Sequence, residues 1–320
     1  MNINLKTNVL EEDIGQLGFE ILSKLLIDRT TKKNITWATS DYEILGPDYG
    51  AKCHIKHYQI TGVNAKLVLP RIFKAKEEQV NRTRDKAEVF TPSWICNEQN
   101  NLVDEQWFGK KNVFNSIDGN KWITTTEKII FPSTRGRKWK DYVDAKRMEI
   151  SCGEAPYLVS RYDTVTGTAI ELNERIGLLD RKLRVVNENK DNKEEWYKWA
   201  LRALQSIYGY EYQGDNLLLA RKNVFYTFLE NAIYKHNEVP NEKILNTAAK
   251  IISWNLWQMD GLKYTVPFGK LEDAYRQLSM FDIMEEDMSQ ELKNIKCKIM
   301  DWRANSSVVF ASLIKGEKNG

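Results

Sequence analysis

Between residues 9 and 27, apolar side chains return every three or four positions. Leu10, Ile14, Leu17, Ile21 and Leu25 fall on one side of a helix, so the spacing predicts a helix with one buried face. Residues 30–72 keep no helical period. They carry turn chemistry at Gly46-Pro47-Asp48 and short apolar runs that end at Pro70, which reads as irregular or β-rich. The stretch 74–88, KAKEEQVNRTRDKAE, is so charged that a solvated helix or linker is predicted. At Thr91-Pro92 a helix is expected to begin, with threonine as N-cap and proline at the first helical position, and to run towards Val103. Residues 109–147 are polar and contain glycine.

From there on, short apolar runs alternate with longer helical ones. Strands are predicted over 147–151, 207–212, 256–260 and 296–301, and helices over 193–207, 215–235, 241–254 and 270–279. Asn192 and Glu195 have the spacing of a capping box, and Trp196, Trp199, Ala203 and Ile207 form the apolar stripe behind it. Strands alternating with helices predict a parallel sheet with helices on its faces. The stretch 284–293 reads as exposed, and no segment repeats.

Composition changes this picture little. Apolar residues make up 42% and charged residues 28% of 320, enough for a sizeable core without staples. A net charge of +3 argues neither for nor against a polyanionic partner. The four cysteines, at 53, 96, 152 and 297, have neither metal nor disulfide spacing. In Cys53-His54-x-x-His57 the two histidines would face opposite sides of a strand, which speaks against a metal site. The first residues lack a basic flank followed by an apolar core, and no apolar run spans a bilayer, so a cytoplasmic protein without a membrane partner is expected.

The segment Arg147-Met-Glu-Ile-Ser-Cys-Gly-Glu-Ala-Pro-Tyr-Leu158 concentrates the chemistry. A short apolar run ends in an acid, turns at Gly153 and resumes at Tyr157. In an open α/β sheet the crevice beyond the strand carboxyl ends takes the ligand, and a small residue there lets the backbone come close. With acids at Glu149 and Glu154, this turn suits a cationic or zwitterionic ligand better than a pyrophosphate.

These residues resemble motif I of the N6-adenine DNA methyltransferases, acid-x-x-Cys-Gly-x-Gly-x-Phe-Leu. Glu149, Cys152, Gly153, Tyr157 and Leu158 match, while Ala155 replaces the second glycine and Pro156 follows it. Glu88-Val-Phe90-Thr91-Pro92 resembles motif X, which packs over the methionine end of the cofactor. Ile207-Tyr-Gly-Tyr-Glu211 with Asp215-Asn216 resembles motif II, whose acid binds the ribose hydroxyls. Asp260-Gly-Leu262 resembles motif III, whose aspartate accepts from the adenine amino group. The likeness extends to methylase subunits of restriction systems, through Thr83–Asn97, Val159–Thr164 and Trp254–Leu262, and covers residue 80 onwards.

The resemblance implies an α/β fold. It would be a Rossmann-like S-adenosylmethionine-dependent methyltransferase sheet over 86–320, with an α+β extension over 1–85. It implies S-adenosylmethionine as cofactor and DNA adenine as substrate, in restriction-modification or phage defence. The family's Asn/Asp-Pro-Pro-Tyr/Phe element has no counterpart, since the sequence has no Pro-Pro. Its place falls at Asp301-Trp302, where the acid would accept from the N6 amino group and the indole would stack on a flipped base. Three further strands and a target-recognition region find no room after Asp301. An incomplete sheet is therefore expected, covered by the N-terminal segment or by a restriction or specificity subunit.

Other readings stand beside this one. Arg135-Gly-Arg137-Lys138-Trp139-Lys140 interleaves charge with an aromatic, as phosphate-contacting segments do and as solvated loops equally do. Arg175, Arg181, Lys182 and Arg184 would border a DNA cleft or defend a strand edge. A catalytically inactive relative that binds DNA or protein fits the missing Pro-Pro. A nuclease built on Glu20, Asp48 and Lys52 lacks the tight Asp/Glu-x-Lys element.

Overall fold

The computed structural model describes residues 17–74, 84, 91–268 and 295–314. The predicted helix 270–279, the stretch 284–293, Phe90 and nearly all of the charged stretch 74–88 lie outside the described residues.

Three parallel strands sit at the centre: β3 (Arg147–Glu149), β4 (Ile207–Glu211) and β5 (Leu256–Gln258), in the order β3-β4-β5. Arg147 pairs with Ile207 and Gly209 with Leu256. Gly209 is closely packed: a Cβ there would stand 2.9 Å from Leu256 Cδ2 and 3.3 Å from Cys152 Sγ, so those side chains would have to shift. A two-stranded hairpin, β1 (Asn115–Asp118) and β2 (Lys121–Thr124), lies earlier in the chain. The predicted strand at 296–301 forms as β6 (Lys298–Asp301), but it pairs antiparallel with β7 (Ser306–Val309) and does not join the parallel sheet. The described residues thus form a mixed α/β protein with one small parallel sheet.

Helices α1 (Phe19–Leu26), α2 (His57–Ile60), α3 (Ser93–Phe108), α4 (Trp139–Asp144), α5 (Leu178–Asn189), α6 (Lys193–Gln205), α7 (Gly214–His236), α8 (Glu242–Asn255) and α9 (Phe310–Ile314) surround it. Asn192 caps α6 by accepting from Glu195 N–H, and Asn241 caps α8 by accepting from Ile244 N–H, each at 3.0 Å. The α7 helix shows no apolar stripe because it is buried on nearly every side, so its polar residues must find partners inside. Helix α3 starts one residue later than the sequence suggested. Pro92 holds the N-cap position, and the Asp163 carboxylate supplies the cap, accepting from Ser93 N–H at 2.7 Å. The helix runs to Phe108 and ends on Gly109 with φ 72°.

The described residues of the expected N-terminal extension pack into the same core as the rest. Leu17, Leu25, Ile35, Trp37 and Ile55 belong to the same buried cluster as Leu183, Phe225 and Ile252. Helix α1 packs on α8 through Ile21, Leu22, Leu25 and Leu26. The segment after it is tied to the sheet by Gln258, which accepts from Thr36 N–H at 2.9 Å and donates to Thr36 O at 2.8 Å.

Arg181, Lys182 and Arg184 lie on helix α5, contrary to the strand-edge reading, and Arg175 stands just before it in extended backbone. Arg181 is buried against Asp104 (2.6 Å) and Asn97 (2.8 Å). Lys182 donates to Val143 O, Ala145 O and Ser206 Oγ. Arg175 and Arg161 share Glu230, and Arg184 pairs with Glu188. Among the described residues, no helix is long and apolar enough to cross a membrane.

Candidate functional site: a cleft at the strand carboxyl ends

A cleft of about 780 Å³ opens where β3, β4 and β5 end. Glu149 and Glu211 stand at its floor, Met259 and Gly261 follow β5 on one side, and Thr91 and Tyr157 line the other. Ala38, Thr39 and Ser40 from the N-terminal segment form a further wall.

The turn after β3 shapes the cleft. Its backbone is left-handed at alternate positions, Ser151 (φ 47°), Gly153 (φ 51°) and Ala155 (φ 67°). A non-glycine residue in this region carries a cost of about 1–2 kcal/mol. Ala155 stands where the family resembled would place its second glycine, and it takes up the backbone conformation that a glycine reaches freely. Its methyl group is fully buried, which offsets part of that cost.

The two strand-end acids hold this turn in place. Glu211 accepts from the N–H groups of Gly153 (2.9 Å), Tyr212 (2.9 Å) and Gln213 (3.1 Å). Glu149 accepts from Tyr157 N–H (3.3 Å) and Leu158 N–H (3.1 Å). Each acid binds backbone that belongs to the same cleft wall, and neither forms an ion pair among the described residues. Burial pushes the Glu149 carboxyl up to about 8, against the pull of the two N–H groups, and the charge of Glu211 adds to the rise. Burial likewise raises Glu211 above its ordinary value, although its three N–H donors oppose it. Two carboxyls share a recess with hydrogen-bond donors and, among the described residues, no cation, so a positively charged occupant would lower both carboxyls and be held by their ionised forms.

A pH dependence follows. The folded value of Glu149 lies above its unfolded value near 4.5, so ionisation costs more in the folded protein. Below about pH 4.5 the carboxyl is protonated in both states and the penalty is absent. It grows as pH rises and levels off above about 8, reaching about 3 kcal/mol at pH 7. Glu149→Gln keeps an acceptor for Tyr157 and Leu158 and is expected to flatten the fall in stability between pH 5 and 8. Urea unfolding across that range checks it; parallel profiles for the two proteins would show that Glu149 titrates like a solvated acid.

The structure brings together part of the constellation expected from sequence. Thr91, Glu149, Cys152, Gly153, Tyr157 and Glu211 all line the cleft. Pro92 begins α3 beside it.

Asp260 does not line it: its Oδ1 accepts from Leu262 N–H (3.0 Å) and Lys263 N–H (3.1 Å) and closes its own turn. Leu262 is 93% exposed. The carboxylate that the resemblance assigns to the adenine amino group thus closes a turn beside the cleft. Asp301 and Trp302 are also displaced. Strand β6 runs alongside β5 from Cys297, whose Sγ reaches Gln258 O, to Trp302, whose Nε1 donates to Asn255 just before β5 begins. Asp301 accepts from Arg303 and Ala304 N–H in a tight turn at the amino ends of the strands, opposite the cleft. That pair cannot present an acid and a stacking ring to the same ligand as Glu149 and Glu211.

The basic stretch Arg135, Arg137, Lys138 and Lys140 leads into α4, which precedes β3 and so belongs to that amino end too. Arg137 packs over Trp107 and donates to its carbonyl, and Lys140 lies over both Trp139 and Trp199. These groups do not border the cleft. The trio Glu20, Asp48 and Lys52 is not assembled: Glu20 pairs with Lys24, Asp48 with Lys56 and Tyr58, and Lys52 lies over Phe268. His54 contacts Asn34 O and His57 contacts Ser23, so the two histidines have separate partners.

Sequence reading missed Thr39, Ser40 and Tyr212 in the cleft, and it placed Tyr210 and Asn216 in the motif-II-like segment without giving either a role of its own. Tyr210 and Tyr212 flank Glu211, so strand-end position was an available signal for them. Nothing local marked Thr39 and Ser40, which reach the site only through tertiary packing.

In comparisons with known proteins, no family model, no curated protein and no solved structure matches the chain.

Proposed function

We propose that the cleft binds S-adenosylmethionine and that the protein serves adenine-directed DNA methylation in a restriction-modification or phage-defence system. One observation carries the cofactor half: two buried carboxyls, Glu149 and Glu211, end adjacent parallel strands around a left-handed turn and have no ion-pair partner among the described residues. S-adenosylmethionine brings a sulfonium and an ammonium to such a recess, where low dielectric strengthens the attraction. Glu149, Cys152 and Gly153 would face its amino-acid end, Thr91 and Tyr157 its methionine chain, and Glu211 its ribose hydroxyls. The order of segments resembling motifs X, I, II and III supports the reading.

The placement of Asp301 favours a second reading of the catalytic half. With that acid at the opposite end of the strands, the chain would hold the cofactor and act through DNA or a protein partner rather than transfer methyl groups itself.

Calorimetry tests the shared claim. S-adenosylmethionine is expected to bind at micromolar concentration, more tightly than S-adenosylhomocysteine, which lacks the sulfonium charge. Glu211→Gln is expected to weaken binding by about tenfold or more, about 1.4 kcal/mol. No heat at millimolar cofactor would sink the proposal. Labelled methyl transfer to DNA then separates the two readings.

A further inference from the structure

A second cavity, of about 640 Å³, lies between the β1–β2 hairpin, residues 172–175 and the helices α5 and α7; it shares no lining residue with the cleft. Asp180, Arg184 and Asn187 face it together because they recur every three or four residues along α5. The Asp180 carboxylate is held rigidly. Its Oδ2 accepts from Ser160 N–H (2.9 Å) and Gly177 N–H (3.0 Å), capping the start of α5. Gly177 must stay glycine, since a Cβ would stand 2.4 Å from Leu158 O and 2.6 Å from that oxygen.

The other oxygen, Oδ1, is buried and has no hydrogen-bond partner among the described residues, although Asp180 is only 6% exposed. An unpaired buried acceptor is costly and marks a group that awaits a donor. Burial raises the Asp180 carboxyl above its ordinary value, and the Arg175 guanidinium opposes that rise.

Donors line the same cavity. Arg175 is held by Ile170 O (3.2 Å) and Glu230, and Arg184 by Glu188 (2.8 Å) and Thr125 O (2.6 Å). Each guanidinium keeps one Nη without a hydrogen bond among the described residues. Asn187 and Asn231 are fixed to one another at 2.8 Å and line the same cavity. Trp122 lines it too, its indole anchored by a 2.8 Å hydrogen bond to Glu174 O.

We infer that this cavity is a second ligand site, specific for a guanine base. One fixed carboxylate oxygen accepts from the ring N–H and the amine of guanine, arginine donates to its adjacent O6 and N7 acceptors, and an indole gives the base a stacking surface. Adenine and cytosine lack that combination of two neighbouring acceptors with a ring N–H. The site is independent of the proposed cofactor cleft and stands whether or not that cleft binds S-adenosylmethionine.

The test is calorimetry with GMP, AMP and CMP on the full chain. GMP is expected to bind at least about tenfold more tightly than the other two, and Asp180→Asn is expected to reduce its affinity by about tenfold or more. The asparagine keeps a carbonyl for Ser160 and Gly177 while turning an NH2 towards the base, so the thermal midpoint should stay near that of the parent. Arg184→Gln, which leaves the α5 cap untouched, should also weaken GMP. Single-stranded oligonucleotides with and without one guanine identify the source. Discrimination between them points to a strand, and GMP binding alone points to a free nucleotide. Equal binding of the three nucleotides, no binding at millimolar GMP, or loss of GMP binding in Glu211→Gln but not in Asp180→Asn would overturn the inference.

Discussion

Gly214→Ala is expected to destabilise the protein by about 3 kcal/mol or more and to abolish ligand binding in the cleft. In most helices the same exchange stabilises by about 1 kcal/mol, because alanine is the better helix former. Here the sign reverses. A Cβ on Gly214 would stand 2.0 Å from Thr36 O and 3.1 Å from Ile55 Cδ1, so backbone has to move. The strand-like segment it would displace is held by Gly214 N–H to Trp37 O (2.9 Å) and by the Gln258 pair to Thr36. Its continuation, Ala38–Ser40, is a wall of the cleft. Urea unfolding and a cofactor titration on the variant give both readouts. An unchanged or raised midpoint would show that the segment does not lie against the start of α7.

Arg221→Met is expected to cost about 3–5 kcal/mol, with loss of the soluble folded protein as the practical outcome near physiological temperature. The Arg221 side chain is fully buried, and among the described residues it forms no ion pair with a carboxylate. Its guanidinium donates instead to the carbonyls of Leu25, Ile27, Ser253 and Leu256, at the ends of α1 and α8 and the start of β5. One side chain thus satisfies carbonyls that two helix ends leave without intrahelical partners. Burial holds the guanidinium down to about 9, with Asp28 the main influence in the other direction. Methionine fills similar volume, so the loss isolates the hydrogen bonds from the packing. Arg221→Lys should recover only part of the stability, because one ammonium cannot reach all four carbonyls in the guanidinium's planar spread. Denaturant midpoints for the two variants check this; equal stability of Arg221→Met and the parent would show that these carbonyls are satisfied without Arg221.

Local chemistry was legible where it depends on neighbours in sequence. The β4 strand and helices α6 and α8 were readable from apolar spacing and asparagine caps, because those signals act within one or two turns. The glycine turn between two strand-end acids was readable for the same reason. A strand carboxyl end, a turn and Glu149 occupy one stretch of chain, and in an open sheet strand ends converge; the other acid of that stretch, Glu154, does not line the cleft but accepts from Arg71 N–H (2.7 Å) and from the Tyr162 hydroxyl. Helix α5 was missed because its face is charged: Asp180, Arg181, Lys182 and Arg184 read as solvent-facing until their partners, Asp104 and the Val143 and Ala145 carbonyls, are known.

The sequence by itself therefore determined an alternating strand–helix core and acids at the ends of β3 and β4. Tertiary structure alone decided which residues share a site. Residues 38–40 come to the cleft from more than a hundred positions away, because Trp37 buries its ring and Thr36 meets a glycine at the start of α7. Asp301 and Lys140 leave it because β6 runs past β5 towards the amino ends of the strands, and α4 feeds β3 from that same end. Apolar periodicity records which face of an element is buried. It carries no information about which distant segment buries it, since many apolar partners have the right shape and only the packed chain selects one.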